Sequence, residues 1–194
     1  MTKQLICPIV GMHTSGKTTL LNYFKNEGYA VEEELAEIIR IKNNCNAGAN
    51  GQNDFEELVM LNEKRRDLDR TGDHDVIIIE SWHILTIAYM YTKEYEDRKI
   101  SEYYKYVRNL LNNYYISVIY LDSDTKLILK RGSRFHNEED IVHISEFYDK
   151  LNKNIYRVIK ELNLDYIHID STKPKELVAA NALKFINKKT KLLY

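Results

Sequence analysis

Eight residues near the start of the chain, Gly11-Met-His-Thr-Ser-Gly16-Lys17-Thr18, constrain it more than any others. They match the spacing G-x-x-x-x-G-K-[ST], which average composition produces by chance in roughly one chain of this length in a hundred. Context makes the match more specific. The apolar run Gln4–Val10 precedes it and reads as a buried strand, while Lys17–Asn26 reads as a helix closed by Gly28, suited to a left-handed stop. A strand that turns through glycines into a helix points successive backbone N–H groups into one hollow. The start of the helix adds unsatisfied donors and partial positive charge, so the hollow suits a polyanion.

The spacing assigns roles. Gly11 and Gly16 let the backbone curl, and Lys17 is expected to reach the β- and γ-phosphates of a nucleoside triphosphate. The Thr18 hydroxyl is expected to bind Mg2+. The expected binding set is Gly11, His13, Thr14, Ser15, Gly16, Lys17, Thr18 and Thr19, with ATP and Mg2+ as the expected ligands. His13 faces either the phosphates or solvent.

Strand and helix patterns alternate along the rest of the chain. Tyr29–Glu32 is a brief strand, followed by a helical stretch from Glu34 to about Lys42 and an Asn/Gly-rich loop, Asn43–Asn53. Asp54–Arg70 reads as a helix with Asp54 as a candidate N-cap and an apolar pattern at Phe55, Leu58, Leu61 and Leu68. Asp75–Glu80 (DVIIIE) is the clearest buried strand, as expected when both faces of a parallel sheet are covered. Trp82–Tyr95 and Ser101–Asn113 read as helices, Tyr114–Leu121 as a strand, and Thr125–Lys130 and Asp140–Leu162 as helices flanking polar Arg131–Glu139. Asp165–Ile169 is a fifth strand, and Pro174–Lys188 a helix with proline in its first turn. Five strands separated by helices require crossovers, hence an α/β fold of three layers: a five-stranded parallel sheet with helices on both faces. Pro8 lies inside the first strand, where it cannot donate a ladder bond, so a local irregularity is expected. With 194 residues and no linker or repeat, one domain spanning 1–194 is expected.

Charge and cysteine content exclude several classes. A net charge of −1 provides no basic field for nucleic acid. Two cysteines, Cys7 and Cys45, without CxxC spacing, argue against a disulfide framework or zinc site and fit a reducing, cytoplasmic setting. No apolar run is long enough to span a membrane, and the N-terminus does not read as a cleavable signal. The 15 tyrosines reflect either compositional bias or a tyrosine-lined base pocket. The sequence lacks the N-K-x-D of GTPases, Asn152-Lys153-Asn154 stopping short of it, and the chain is shorter than most motor or AAA assemblies.

On these residues the chain resembles the nucleoside and nucleotide kinases, especially thymidylate kinase and deoxynucleoside kinases, together with related small ATP-binding proteins. Gly11-Met-His-Thr-Ser-Gly-Lys-Thr-Thr-Leu20 looks like their phosphate loop (P-loop). Glu80-Ser-Trp-His-Ile-Leu-Thr-Ile-Ala-Tyr89 is similar to the strand-end motif D-R-Y-x-x-S-x-x-A-Y, with one residue of slippage at the serine. Tyr120–Arg131 resembles the strand and helix that lead into the family's arginine-bearing lid, and Tyr166–Asp170 its last strand. The resemblance implies a sheet order of 2-3-1-4-5, a short lid at about 131–139, and a homodimer. It departs at Ser81, where the family carries an arginine that touches the acceptor.

Phosphoryl transfer needs positioning, charge neutralisation and a group serving the attacking oxygen. Glu80 ends the best strand, where ligands of open α/β sheets bind; it holds a magnesium-bound water or takes the acceptor proton, or else is a plain surface acid. Glu33 and Glu34 follow the second strand, where the resemblance implies a general base, Glu34 slightly favoured; both equally suit an acidic helix start. Arg131 and Arg134 either cover the transferring phosphate or form a solvated turn. Lys64, Arg65 and Arg66 either meet an acceptor phosphate or line a solvated face, and Trp82 either stacks on a base or packs in the core. The expected activity is ATP-dependent phosphorylation of a small-molecule acceptor, a nucleoside or nucleoside monophosphate. The alternative is a regulatory ATPase acting through a protein partner.

Overall fold

The computed structural model describes residues 3–44, 54–125, 130 and 141–191. They form β1 (Gln4–Gly11), α1 (Lys17–Asn26), β2 (Ala30–Glu32), α2 (Leu35–Asn43), α3 (Phe55–Asp69), β3 (Val76–Glu80), α4 (Trp82–Thr92), α5 (Asp97–Leu110), β4 (Tyr114–Asp122), α6 (Ile141–Glu161), β5 (Asp165–Asp170) and α7 (Lys175–Thr190). These five strands are all parallel, in the order β2-β3-β1-β4-β5.

β1 takes the centre because it is apolar on both faces. Ile6 and Val10 are buried with residues of α4, α5 and α6, whereas Leu5, Cys7 and Ile9 are buried with α1 and α7. Pro8 pairs with Ile79 of β3, but towards β4 the register runs to Ile6↔Ile116 and resumes at Ile9↔Ile119. The missing N–H interrupts one side of the ladder without shifting its register, so the strand keeps its place. This is the irregularity expected from the sequence.

Helix α3 corrects the sequence reading. Phe55 is buried beside Val59 and Ile39, but Leu58, Leu61 and Leu68 are exposed, Leu68 at 82%. The inward face carries Glu56, Glu63 and Asp67 instead. Each acid is satisfied by partners from later in the chain, which the pattern of apolar residues cannot report. Asp54 holds the N-cap position without a side-chain capping bond. Helix α4 ends at Thr92, short of Tyr95, and α5 begins at Asp97, before Ser101, its polar Asp97-Arg98-Lys99 start giving no apolar periodicity to read. Pro174 occupies the N-cap of α7 rather than its first turn. The reading of Thr125–Lys130 as a helix and the lid at 131–139 lie largely or wholly outside the described residues, as does Cys45. No helix among the described residues is long and apolar enough to cross a membrane.

Candidate functional site

The carboxyl end of β1 approaches β4 too closely for a side chain at position 11. A Cβ on Gly11 would lie 2.5 Å from the Leu121 carbonyl oxygen and 2.8 Å from Ser15 Oγ. The loop then turns through Thr14 at φ 56° and Gly16 at φ 97°, the latter serving as N-cap of α1. Left-handed backbone is natural for glycine and uncommon for threonine, so the loop conformation is held by its surroundings. Lys17 folds back, and its Nζ donates to the carbonyls of Gly11 at 3.2 Å and Met12 at 3.1 Å. Both acceptors are neutral, so the ammonium charge remains available to an anion at the loop.

Two acids face this cation. Glu80, at the end of β3, accepts a 2.6 Å hydrogen bond from Thr18 Oγ1 at its Oε1. Burial raises its carboxyl above the ordinary 4.5; the Thr18 bond acts the other way, and nearby Glu34 adds to the rise. Glu34 is the N-cap residue of α2, and its Oε1 accepts from Ser81 Oγ at 3.0 Å. Glu33 turns outward, 3.6 Å from Lys25 Nζ, with its side chain 63% exposed. The geometry therefore separates the two neighbouring glutamates.

Ser81 and Trp82 both have positive φ, 72° and 62°. Ser81, with ψ −81°, lies near the rare, strained form of the γ-turn. The corner is held by Ser81 N–H donating to the Ile9 carbonyl at 2.9 Å, and it aims the serine hydroxyl at Glu34. The sequence marks Ser81 only as a missing arginine; its bond to Glu34 has no local signal.

His13, Thr14, Gly16, Lys17, Thr18, Thr19, Glu34 and Glu80 line one cavity of about 240 Å³. Gly11 and Ser15 belong to the same loop, the Ser15 hydroxyl buried and without a hydrogen-bond partner among the described residues. Arg131 and Arg134 lie outside the described residues. Trp82 is buried in the core, its Nε1 donating to Asp67 Oδ1 at 3.2 Å. Lys64 sits over the rings of Tyr103 and Tyr106, and Arg66 lies 3.0 Å from Glu32. Several tyrosines serve buried acids rather than the cavity: Tyr95 donates to Glu56, Tyr103 to Glu63, and Tyr106 to Asp67.

The donors suit magnesium. Thr18 Oγ1 and Glu80 Oε1 are adjacent hard oxygens, and the unpartnered Ser15 hydroxyl lies close by in the loop. Among the described residues no three His, Cys, Asp or Glu side chains gather as a metal cage. Magnesium normally takes one or two protein oxygens and fills the remainder with phosphate and water, which this arrangement permits.

A family model described as AAA domain matches residues 7–176. Solved structures of deoxyadenosine kinase from M. mycoides share the architecture. The form with products dCMP and a flexible dCDP bound is 17% identical with TM-score 0.65, covering 94% of this chain and 99% of that one. The dCTP-bound form is 16% identical with TM-score 0.66, covering 94% and 99%. The dATP-bound form is 17% identical with TM-score 0.66, covering 94% and 98%. Likeness at this level of identity speaks for the fold. No curated protein matches the chain. Its shortness beside most AAA assemblies does not separate it from the AAA domain itself. By the matched span and the architecture, the chain belongs to the AAA domain family and carries the P-loop fold of the nucleoside and nucleotide kinases.

Proposed function

We propose that the protein is an ATP-dependent phosphotransferase that passes the γ-phosphoryl group to a nucleoside or nucleoside monophosphate. The observation that carries this reading is the pairing of two acids around one cationic loop, Glu80 on Thr18 and Glu34 on Ser81. The loop amides and Lys17 hold the triphosphate, and Lys17 stays beside the β- and γ-phosphates as charge develops. Thr18 and Glu80 hold magnesium, which neutralises phosphate charge when bound. Glu34 lines the same cavity as the loop, and there its carboxylate accepts the proton of the attacking hydroxyl. Arg131 and Arg134 serve as lid residues over the transferring group. The protein works in the cytoplasm, and a homodimer follows from the kinase resemblance.

One observation favours a second reading. Ser81 stands where the kinases place an arginine, and its hydroxyl is bonded to Glu34. Lacking that arginine, the site also suits a regulatory ATPase that answers to a protein partner. Labelled Mg·ATP incubated with a panel of nucleosides and monophosphates separates the two, with Lys17→Ala as the inactive control. A phosphorylated acceptor supports the transferase. Slow hydrolysis that ignores every acceptor and responds to a protein fraction supports the regulator.

A further inference from the structure

We propose that Asp67 and Arg70 are positioning residues that set the Glu34 and Ser81 corners of the site against each other. The inference rests on the reading of Glu34 as the acceptor's base. Asp67, on α3, accepts four bonds. Trp82 Nε1 at 3.2 Å and Arg70 Nη1 at 2.9 Å reach its Oδ1, while His83 Nε2 at 2.6 Å and Tyr106 OH at 2.9 Å reach its Oδ2. Arg70 turns the other edge of its guanidinium to Glu32, with Nε on Oε1 at 2.9 Å and Nη2 on Oε2 at 2.8 Å. Arg66 Nη1 adds a bond to the Glu33 carbonyl at 2.9 Å.

These contacts close a ring. Trp82 follows Glu80 and Ser81, and Glu32 precedes Glu33 and Glu34. The ring therefore runs from Asp67 through Trp82 to Ser81, across its hydroxyl to Glu34, back to Glu32, and through Arg70 to Asp67. The side chains of Asp67 and Arg70 are each 2% exposed. Around them stand Glu32, Glu63, Arg66 and His83, acids and bases interleaved in one cluster. Well-packed apolar residues of similar volume would hold α3 against α4 as firmly as this buried ion network. What they would not supply is direction. A bidentate guanidinium fixes both distance and plane, and it acts on the short β2 edge and the strained Ser81–Trp82 corner together.

The test is Arg70→Lys, which keeps the charge and loses the fork. A small displacement of a catalytic group costs up to about 10²-fold in rate, so turnover is expected to fall by about that factor with Mg·ATP affinity unchanged. The amides of Ser81, donating to Ile9, and Ile38, donating to Glu34, report the two corners directly. Their hydrogen exchange is expected to quicken about tenfold or more while β1 amides stay protected. In the double variant Glu34→Gln with Arg70→Lys, the lysine is expected to add no further loss, because it acts only through Glu34. Additive losses, full turnover in Arg70→Lys, or unchanged exchange at both amides would overturn the proposal. If Glu34→Gln alone keeps full turnover, the base reading falls, and the exchange data still decide whether Arg70 fixes the corners. Glu32→Gln, which removes the same fork from its other side, repeats the test if Arg70→Lys does not fold.

Discussion

Replacing Asp67 by asparagine tests whether the buried network under α3 is held together by charge. Burial pushes the Asp67 carboxyl up, but hydrogen bonds and charge from His83 and Arg70 more than offset this and bring it from 3.8 down to about 2. That difference is worth about 2 kcal/mol. With a depressed pKa, the contribution is present above 3.8 and disappears as pH falls towards 2. Asparagine removes it at every pH and also offers one acceptor oxygen where four donors now converge. Breaking a buried pair leaves its partners uncompensated at a cost of about 3–5 kcal/mol. Urea unfolding of Asp67→Asn at pH 7 is therefore expected to show a loss of about 3–5 kcal/mol. His83 adds a second signature. Burial disfavours its charge, yet Glu63 and Asp67 prevail and raise its pKa above 6.5. A raised histidine pKa stabilises fully below 6.5 and is lost as pH climbs through the folded value, so the gap between wild type and variant narrows on the alkaline side. A loss under about 1 kcal/mol at pH 7, or a gap that stays constant from neutral to alkaline pH, would refute the ionised network.

Two further outcomes are expected. Gly11→Ala should destabilise the fold by more than about 1 kcal/mol and weaken nucleotide binding, because its Cβ would meet the Leu121 carbonyl; a melt matching wild type would show that the loop can relax. Magnesium–nucleotide affinity, measured by calorimetry, should weaken on acidification from a pH above 4.5, as the raised Glu80 carboxyl takes up its proton, and Glu80→Gln should flatten that profile. An onset confined to ordinary glutamate pH would show that burial does not govern this group.

Legibility followed sequence distance. The phosphate loop and the strands flanking it are local features, and β1, β3 and β4 stand where their apolar runs put them. Pro8 was readable as a disturbance because a missing N–H is a local fact. Helix α3 is opaque in the sequence because Glu63 and Asp67 look like surface residues until Tyr103, His83 and Trp82 come within reach. The choice between Glu33 and Glu34 was equally hidden, since it depends on Ser81, 47 residues from its partner. A residue's type shows what it can bond, whereas the fold decides what it meets.

The central place of β1 also orders events during synthesis. Its partners, β3 and β4, begin only at Val76 and Tyr114, so the strand and the loop behind it leave the ribosome long before either neighbour exists. Non-local parallel pairing is slow and exposes apolar edges while it waits. A strand translated ahead of both its partners is thus among the last to acquire its working shape, and a nucleotide has no formed cradle to enter until the chain has been made through Asp122.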